Sequence, residues 1–162
     1  MITMAAMMLL SLVILRVNNG FLNTNGVLLE TKFGVLGVSL ATSVMEEASG
    51  KAFDENTDSN TVTNVNDLSS IGPDGEIYPN FDDFDDFDGY LKVIDTMPSA
   101  VFEITCKVDY VKTDSPESST HHKTWNKKLT VTVSSPSSTD TIRMSTIYSY
   151  FYYRLSKWDL AH

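Results

Sequence analysis

The beginning of this chain lacks charge: Met1 to Leu15, MITMAAMMLLSLVIL, has no ionisable side chain, and Arg16 is the first. Basic residues are scarce throughout, with 12 Lys and Arg against 21 Asp and Glu, a formal net charge of −9. A chain without a basic stripe has little to neutralise phosphates, which argues against nucleic acid as a partner. There is one cysteine, Cys106, which excludes an intramolecular disulfide and has no companion at zinc-ligand spacing. It alternates with apolar residues, which reads as a small buried hydrophobe. Also missing are a Gly-x-Ser-x-Gly elbow, a Gly-rich phosphate loop and a His-Glu-x-x-His pair, so the sequence gives no support for an enzyme. The neighbouring His121 and His122 would point to opposite faces of a strand and have no evident third ligand, and they read as ordinary loop residues.

What is present divides into stretches of different character. The 162 residues, 42% hydrophobic and 10% aromatic, suffice for one packed domain plus an appendage. As a helix, Met1 to Leu15 would rise about 22 Å, short of a hydrocarbon core of about 30 Å. It is not preceded by a basic region or followed by a small-x-small site, as a cleaved signal peptide would be. A signal anchor extended by Val17, Phe21 and Leu22, with Arg16 snorkelling, is a second reading. Asn18, Asn19, Gly20, Asn23, Asn25 and Gly26 are poor helix formers, and residues 18–26 are expected to be loosened.

From Val27 the apolar residues Val27, Leu28, Phe33, Val35, Leu36, Val38, Leu40, Val44 and Met45 approach a 3.6-residue period, predicting an amphipathic helix over 27–50. Gly34, Gly37, Ser39 and Ala41 leave room for close approach, either by another helix or by a sheet. Gly50 is placed to end the helix in a left-handed conformation. Residues 53–89 hold 11 carboxylates and no Lys or Arg, with turn signals at Gly72-Pro73-Asp74-Gly75 and Tyr78-Pro79-Asn80, predicting an acidic loop.

Two-residue alternation then predicts a sheet over 90–155. Its strands are expected at Tyr90–Met97, Ala100–Thr113, Thr124–Ser134 and Thr141–Tyr153, with turns at Asp114–Thr120 and Ser135–Asp140. Phe102, Ile104, Cys106, Val108 and Tyr110 share one face, as do Trp125, Leu129, Val131 and Val133. Tyr148, Tyr150, Phe151, Tyr152, Tyr153 and Trp158 make the end of the chain aromatic on both sides, suited to a core or a contact between subunits. The expected fold is α+β: a long N-terminal helix, apolar first and amphipathic second, packed on an antiparallel sheet of about three to five strands.

The acidic run Phe81-Asp82-Asp83-Phe84-Asp85-Asp86-Phe87-Asp88-Gly89-Tyr90 permits two readings. Asp82, Asp83, Asp85, Asp86 and Asp88 offer the hard oxygens that Ca²⁺ takes in groups of six to eight, though not at EF-hand spacing. Otherwise the run is an acidic turn with Phe81, Phe84 and Phe87 tucked beneath it. No cofactor is required by either reading.

With this organisation the chain resembles the type IV pilin-like superfamily of pilins, minor pilins and pseudopilins of type II secretion. The resemblance rests on the apolar Met1 to Leu15, the small-residue continuation Leu36 to Ser49, the segment Glu46-Glu47-Ala48-Ser49-Gly50-Lys51-Ala52-Phe53-Asp54-Glu55, and the acidic aromatic run above. Counted from Met1, the place where the family usually carries a glutamate is held by Ala5. The resemblance implies a structural subunit of an extracellular filament, assembled with copies of itself through residues 1–26 and the helix that follows. Met1, Met4, Met8, Leu9, Leu12, Leu15, Phe21, Leu22, Leu28 and Leu36 would form the assembly surface. It also implies insertion in the inner membrane before assembly, contact with pilus or secretion machinery, and a head formed by 27–162. A minor pilin or pseudopilin, and a membrane-anchored extracellular binding domain, are the other functions compatible with this pattern.

Overall fold

A computed structural model describes residues 2–58, 60–97 and 100–159, excluding the side chains of Ile2, Ala5, Trp158 and Asp159. Met1 lies outside the described residues. The chain divides into two compact units, Met1–Leu36 and Gly37–His162.

The first element is α1, Ile2–Ser49, an unbroken helix of 48 residues. The loosening expected over 18–26 is not seen. An asparagine or glycine costs a helix interior no more than about 1 kcal/mol each, and turns already formed on both sides remove the nucleation cost. Hydroxyls along this stretch are also satisfied internally: Ser11 donates to the Met7 carbonyl (2.9 Å), Thr24 to Gly20 (2.9 Å) and Thr31 to Val27 (2.8 Å). Every side chain from Ala6 to Lys32 is exposed, and α1 is long and apolar enough to cross a membrane.

Within the second unit, the last turns of α1 bury Gly37, Ala41, Val44, Met45 and Ala48, residues spaced three and four apart on one helix face. A Cβ on Gly37 would lie 3.0 Å from Ile142 Cγ1 and 3.8 Å from Val133 Cγ1. Glycine thus lets the helix backbone lie against the sheet, which favours the sheet-packing reading for this residue. Gly34 has open space around it. Gly50 donates its N–H to the carbonyls of Glu46 and Glu47, but the positive-φ glycines are Gly72, Gly75 and Gly89. The helix therefore ends without the left-handed turn predicted at Gly50.

After α1 come a short helix α2, Glu55–Asp58, and 3-10 turns at Val65–Asp67 and Asp85–Phe87. The sheet follows: β1 Leu91–Ile94, β2 Phe102–Lys112, β3 Ser115–Thr120, β4 Asn126–Ser134 and β5 Ile142–Ser149. All pairings are antiparallel, in the order β1-β2-β4-β5, with β3 also on β2. Thr105 faces Leu91 on one side and Thr132 on the other, and Tyr110 faces Thr120 and Lys127. So β1 and β3 share one edge of β2, and β4 occupies the other. The α+β expectation holds, with five strands.

Two boundaries differ from the sequence reading. Ser115–Thr120, expected as a turn, is a strand, because the hairpin from β2 supplies a partner edge that overrides weak intrinsic preference. The last strand stops at Ser149, and Tyr150–Asp159 forms α3. Its buried Tyr150 and Tyr153 lie on the same side three residues apart, while Phe151 and Tyr152 are exposed. Strand-forming aromatics were thus read with a period of two where the burial follows the helical one. On β2 the expected face of Phe102, Ile104, Cys106, Val108 and Tyr110 is buried.

Candidate functional site

Alternation along β4 sends Leu129, Val131 and Val133 inward, and the same period sends Lys127 with them. Lys127 has no exposed surface, and its two cross-strand neighbours are Tyr110 and Tyr148. An ammonium buried in this way must be fully coordinated to persist. Its Nζ donates to the Phe53 carbonyl (2.9 Å), to Asp54 Oδ2 (2.8 Å) and to Asp85 Oδ1. Two aromatic rings complete the enclosure, with centroids 4.7 Å (Phe53) and 5.6 Å (Tyr110) from Nζ.

The aspartates reach the lysine through a short backbone clasp. Ala52 donates to the Asp82 carbonyl (3.1 Å), and Phe84 donates back to Ala52 (2.9 Å), forming a parallel bridge between Ala52 and Asp83. This joins the chain leaving α1 to the acidic run and sets Asp54 and Asp85 on the same amine. Both oxygens of Asp54 are occupied by backbone donors: Oδ1 accepts from the N–H of Asn56 (3.2 Å) and of Ser69 (2.9 Å), and Oδ2 also accepts from Ser69 (3.2 Å).

The acidic run is largely consumed by its own turn. Asp83 Oδ1 accepts from the backbone N–H of Asp85 (2.8 Å) and Asp86 (3.1 Å). Asp86 Oδ2 accepts from those of Asp82 (3.0 Å) and Asp83 (3.1 Å). Asp88 Oδ1 reaches β2 and accepts from Val108 (2.9 Å). Asp83, Asp85 and Asp86 are buried, and so are Phe81, Phe84 and Phe87 beneath them. Phe84 lies against Tyr148 at 5.0 Å between centroids, and Phe81 against Phe87 at 5.1 Å.

Burial of Asp83 and Asp85 beside one cation perturbs their ionisation. Asp83 is pushed up to about 9, first by burial and then by the charge of Asp85, with Lys127 opposing. It therefore keeps its proton at neutral pH. Asp85 is itself raised to about 6 by burial, against the pull of Lys127. Its Oδ2 has no N–H or amine partner. The Asp83 proton is the neighbouring hydrogen available to that carboxylate.

The five aspartates expected as calcium ligands do not gather at one point. Carboxylate oxygens within 4.8 Å of one another bring Asp82 together with Glu55 and Asp83, and with Glu76 and Asp86. Asp85 and Asp88 belong to neither group; Asp85 is paired with Lys127 and Asp88 with β2. The described geometry is that of an aspartate-rich turn closed by a lysine.

Cys106 is buried on the β2 core face, and burial pushes its thiol up to about 12, away from nucleophilic chemistry. His121 and His122 are exposed beyond β3. Of the expected assembly residues, Met4, Met8, Leu9, Leu12, Leu15, Phe21, Leu22 and Leu28 are exposed and Leu36 is half-buried. Sequence reasoning missed Lys127 and Asp54. The signal for Lys127 was its register with Leu129, Val131 and Val133; Asp54 had no signal, because its partner lies 73 residues away. No family model, curated protein or solved structure matches this chain.

Proposed function

We propose that this protein is a structural subunit of a type IV pilus-like extracellular filament, held in the inner membrane by the beginning of α1 before assembly. The observation that carries this reading is the exposure of apolar side chains in the first unit. Met4, Met8, Leu9, Leu12, Leu15, Phe21, Leu22 and Leu28 all face solvent, each more than half exposed. Apolar surface of this extent on a single chain marks a membrane or protein contact. Asn18, Asn19, Asn23 and Asn25, lying in continuous helix with Arg16, divide that surface. They leave only Met4 to Leu15 free of polar interruption beyond Ser11.

A helix that leaves lipid gains little from apolar area alone, so close contacts through small residues must supply part of the assembly energy. Ala6, Gly20, Gly26 and Gly34 are available for this: Gly20, Gly26 and Gly34 have nothing within 4 Å of a Cβ position. The second unit, with its acidic loop and five-stranded sheet, would form the outward domain. Fractionation tests the reading. Shearing intact cells should release the protein in sedimentable fibres, with a second pool in the inner membrane. Recovery from the membrane alone would favour an anchored binding domain.

A further inference from the structure

Lys127 and Asp85 meet in a setting arranged for more than an ion pair. Both side chains are wholly buried, and they are in direct contact. Asp85 spends Oδ1 on the amine and leaves Oδ2 without a partner. A second carboxylate, Asp54, also meets Nζ at 2.8 Å, and the Phe53 and Tyr110 ring centroids lie 4.7 Å and 5.6 Å from it. We propose that Lys127 and Asp85 become joined by an intramolecular isopeptide bond, from Nζ to Cγ, with Asp54 and Asp83 moving the protons.

The physical drive is the cost of burying charge. An ammonium and a carboxylate removed from water carry a desolvation penalty that a neutral amide does not. Fixed contact between the reacting groups replaces a bimolecular encounter. Asp54, whose Oδ2 lies 2.8 Å from Nζ, takes a proton from the Lys127 ammonium. The freed lone pair attacks Asp85 Cγ, while Asp83 delivers its proton to the carboxyl oxygen that will leave. Nζ then gives a second proton to the Asp83 carboxylate, Asp54 passes the proton it took to the leaving hydroxyl, the C–O bond breaks, and that oxygen departs as water. The water carries one proton from Asp83 and one that came from the ammonium through Asp54, the third ammonium proton stays on the amide nitrogen, and Asp54 and Asp83 return to their starting forms. No oxidant or cofactor enters. Asp54 is the poorer electrophile, because the backbone N–H groups of Asn56 and Ser69 already occupy both of its oxygens. The bond would tie the acidic run to β4 across 42 residues of sequence.

The test is the mass of the full-length chain, purified in detergent and measured after denaturation. The expected mass is one water below that of the sequence. Digestion should give a branched peptide carrying Asp85 and an uncleaved Lys127, while Asp85→Ala should have the full mass for its sequence. Asp83→Asn, which keeps an acceptor for the turn but cannot deliver the acidic proton, should show a smaller joined fraction. A wild-type chain of full mass that is cleaved after Lys127 would overturn the proposal. So would a branch at Asp54, or a water lost elsewhere in the chain.

Discussion

Lys127 on β4 and Asp54, 73 residues before it, meet at 2.8 Å with both side chains shut off from solvent. Removing one partner from such a pair leaves an uncompensated buried charge, which costs roughly 3–5 kcal/mol. Lys127→Met should therefore destabilise the protein by at least about that amount. Adding Asp54→Asn and Asp85→Asn should recover part of the loss, because the anions left behind are then neutral. Denaturant melts of the full chain in detergent check both outcomes. An unchanged midpoint in Lys127→Met would show that the lysine does not organise this core.

The raised pKa of Asp83 sets a pH dependence. The folded protein keeps a proton that the unfolded chain releases above its ordinary carboxylate value, so the folded state binds more protons between about pH 4 and about 9. Its contribution is fully present below about pH 4 and is lost as pH rises toward about 9. In chains where Asp85 is not joined to Lys127, its carboxyl, raised to about 6, acts in the same direction. Lys127, Asp85 and Asp86 are the charged neighbours acting on Asp83, but burial is the leading cause of its shift. That cause is present whether or not Lys127 and Asp85 are covalently joined. Stability should therefore be greater at pH 5 than at pH 8, and Asp83→Asn should flatten this difference. Thermal melts of both chains across that interval provide the measurement.

At Gly37 the backbone of α1 lies against the sheet. Gly37→Val would drive carbon into Ile142 Cγ1, already 3.0 Å from a Cβ position. Overpacking of this kind costs about 1–3 kcal/mol. Ile142→Ala removes the obstructing atom, so the double variant should be more stable than the sum of the single effects predicts. A melting series over the four chains reads this coupling directly.

The exposed beginning of α1 should tolerate a charge in folding but not in assembly. Leu12 is 57% exposed, so Leu12→Asp removes no core contact of the sheet. The melting of the second unit should stay within about 0.5 kcal/mol of wild type, as for other surface changes. Incorporation into fibres, or retention in the membrane, should fall at least tenfold. An Asp near the centre of a helix in lipid costs about 2.5–3.5 kcal/mol, which exceeds a factor of ten.

How far the fold was legible follows from where its determinants lie. Alternation along β2 and β4 revealed their buried faces, since each strand encodes its own period. Helix continuity through 18–26 was not legible, because local propensity says little about turns supported from both ends. The helix at Tyr150–Asp159 was obscured by aromatics that favour strands when read alone. The site was half visible. The aspartates and phenylalanines of 81–88 stood out as a pattern, with the turn and buried stripe among the readings. Their real partner did not, because Lys127 lies 73 residues from Asp54 and 42 from Asp85 in sequence. Attention to the one charged residue in the apolar register of β4 would have found Lys127.

The most direct test of the filament reading is immunogold electron microscopy of cells that make this protein, labelled with an antibody against the sheet-bearing second unit. The account predicts gold along thin surface fibres, lost when Leu12 is replaced by Asp while the chain is still produced. Gold spread evenly over the cell envelope, with no fibres in either strain, would contradict it.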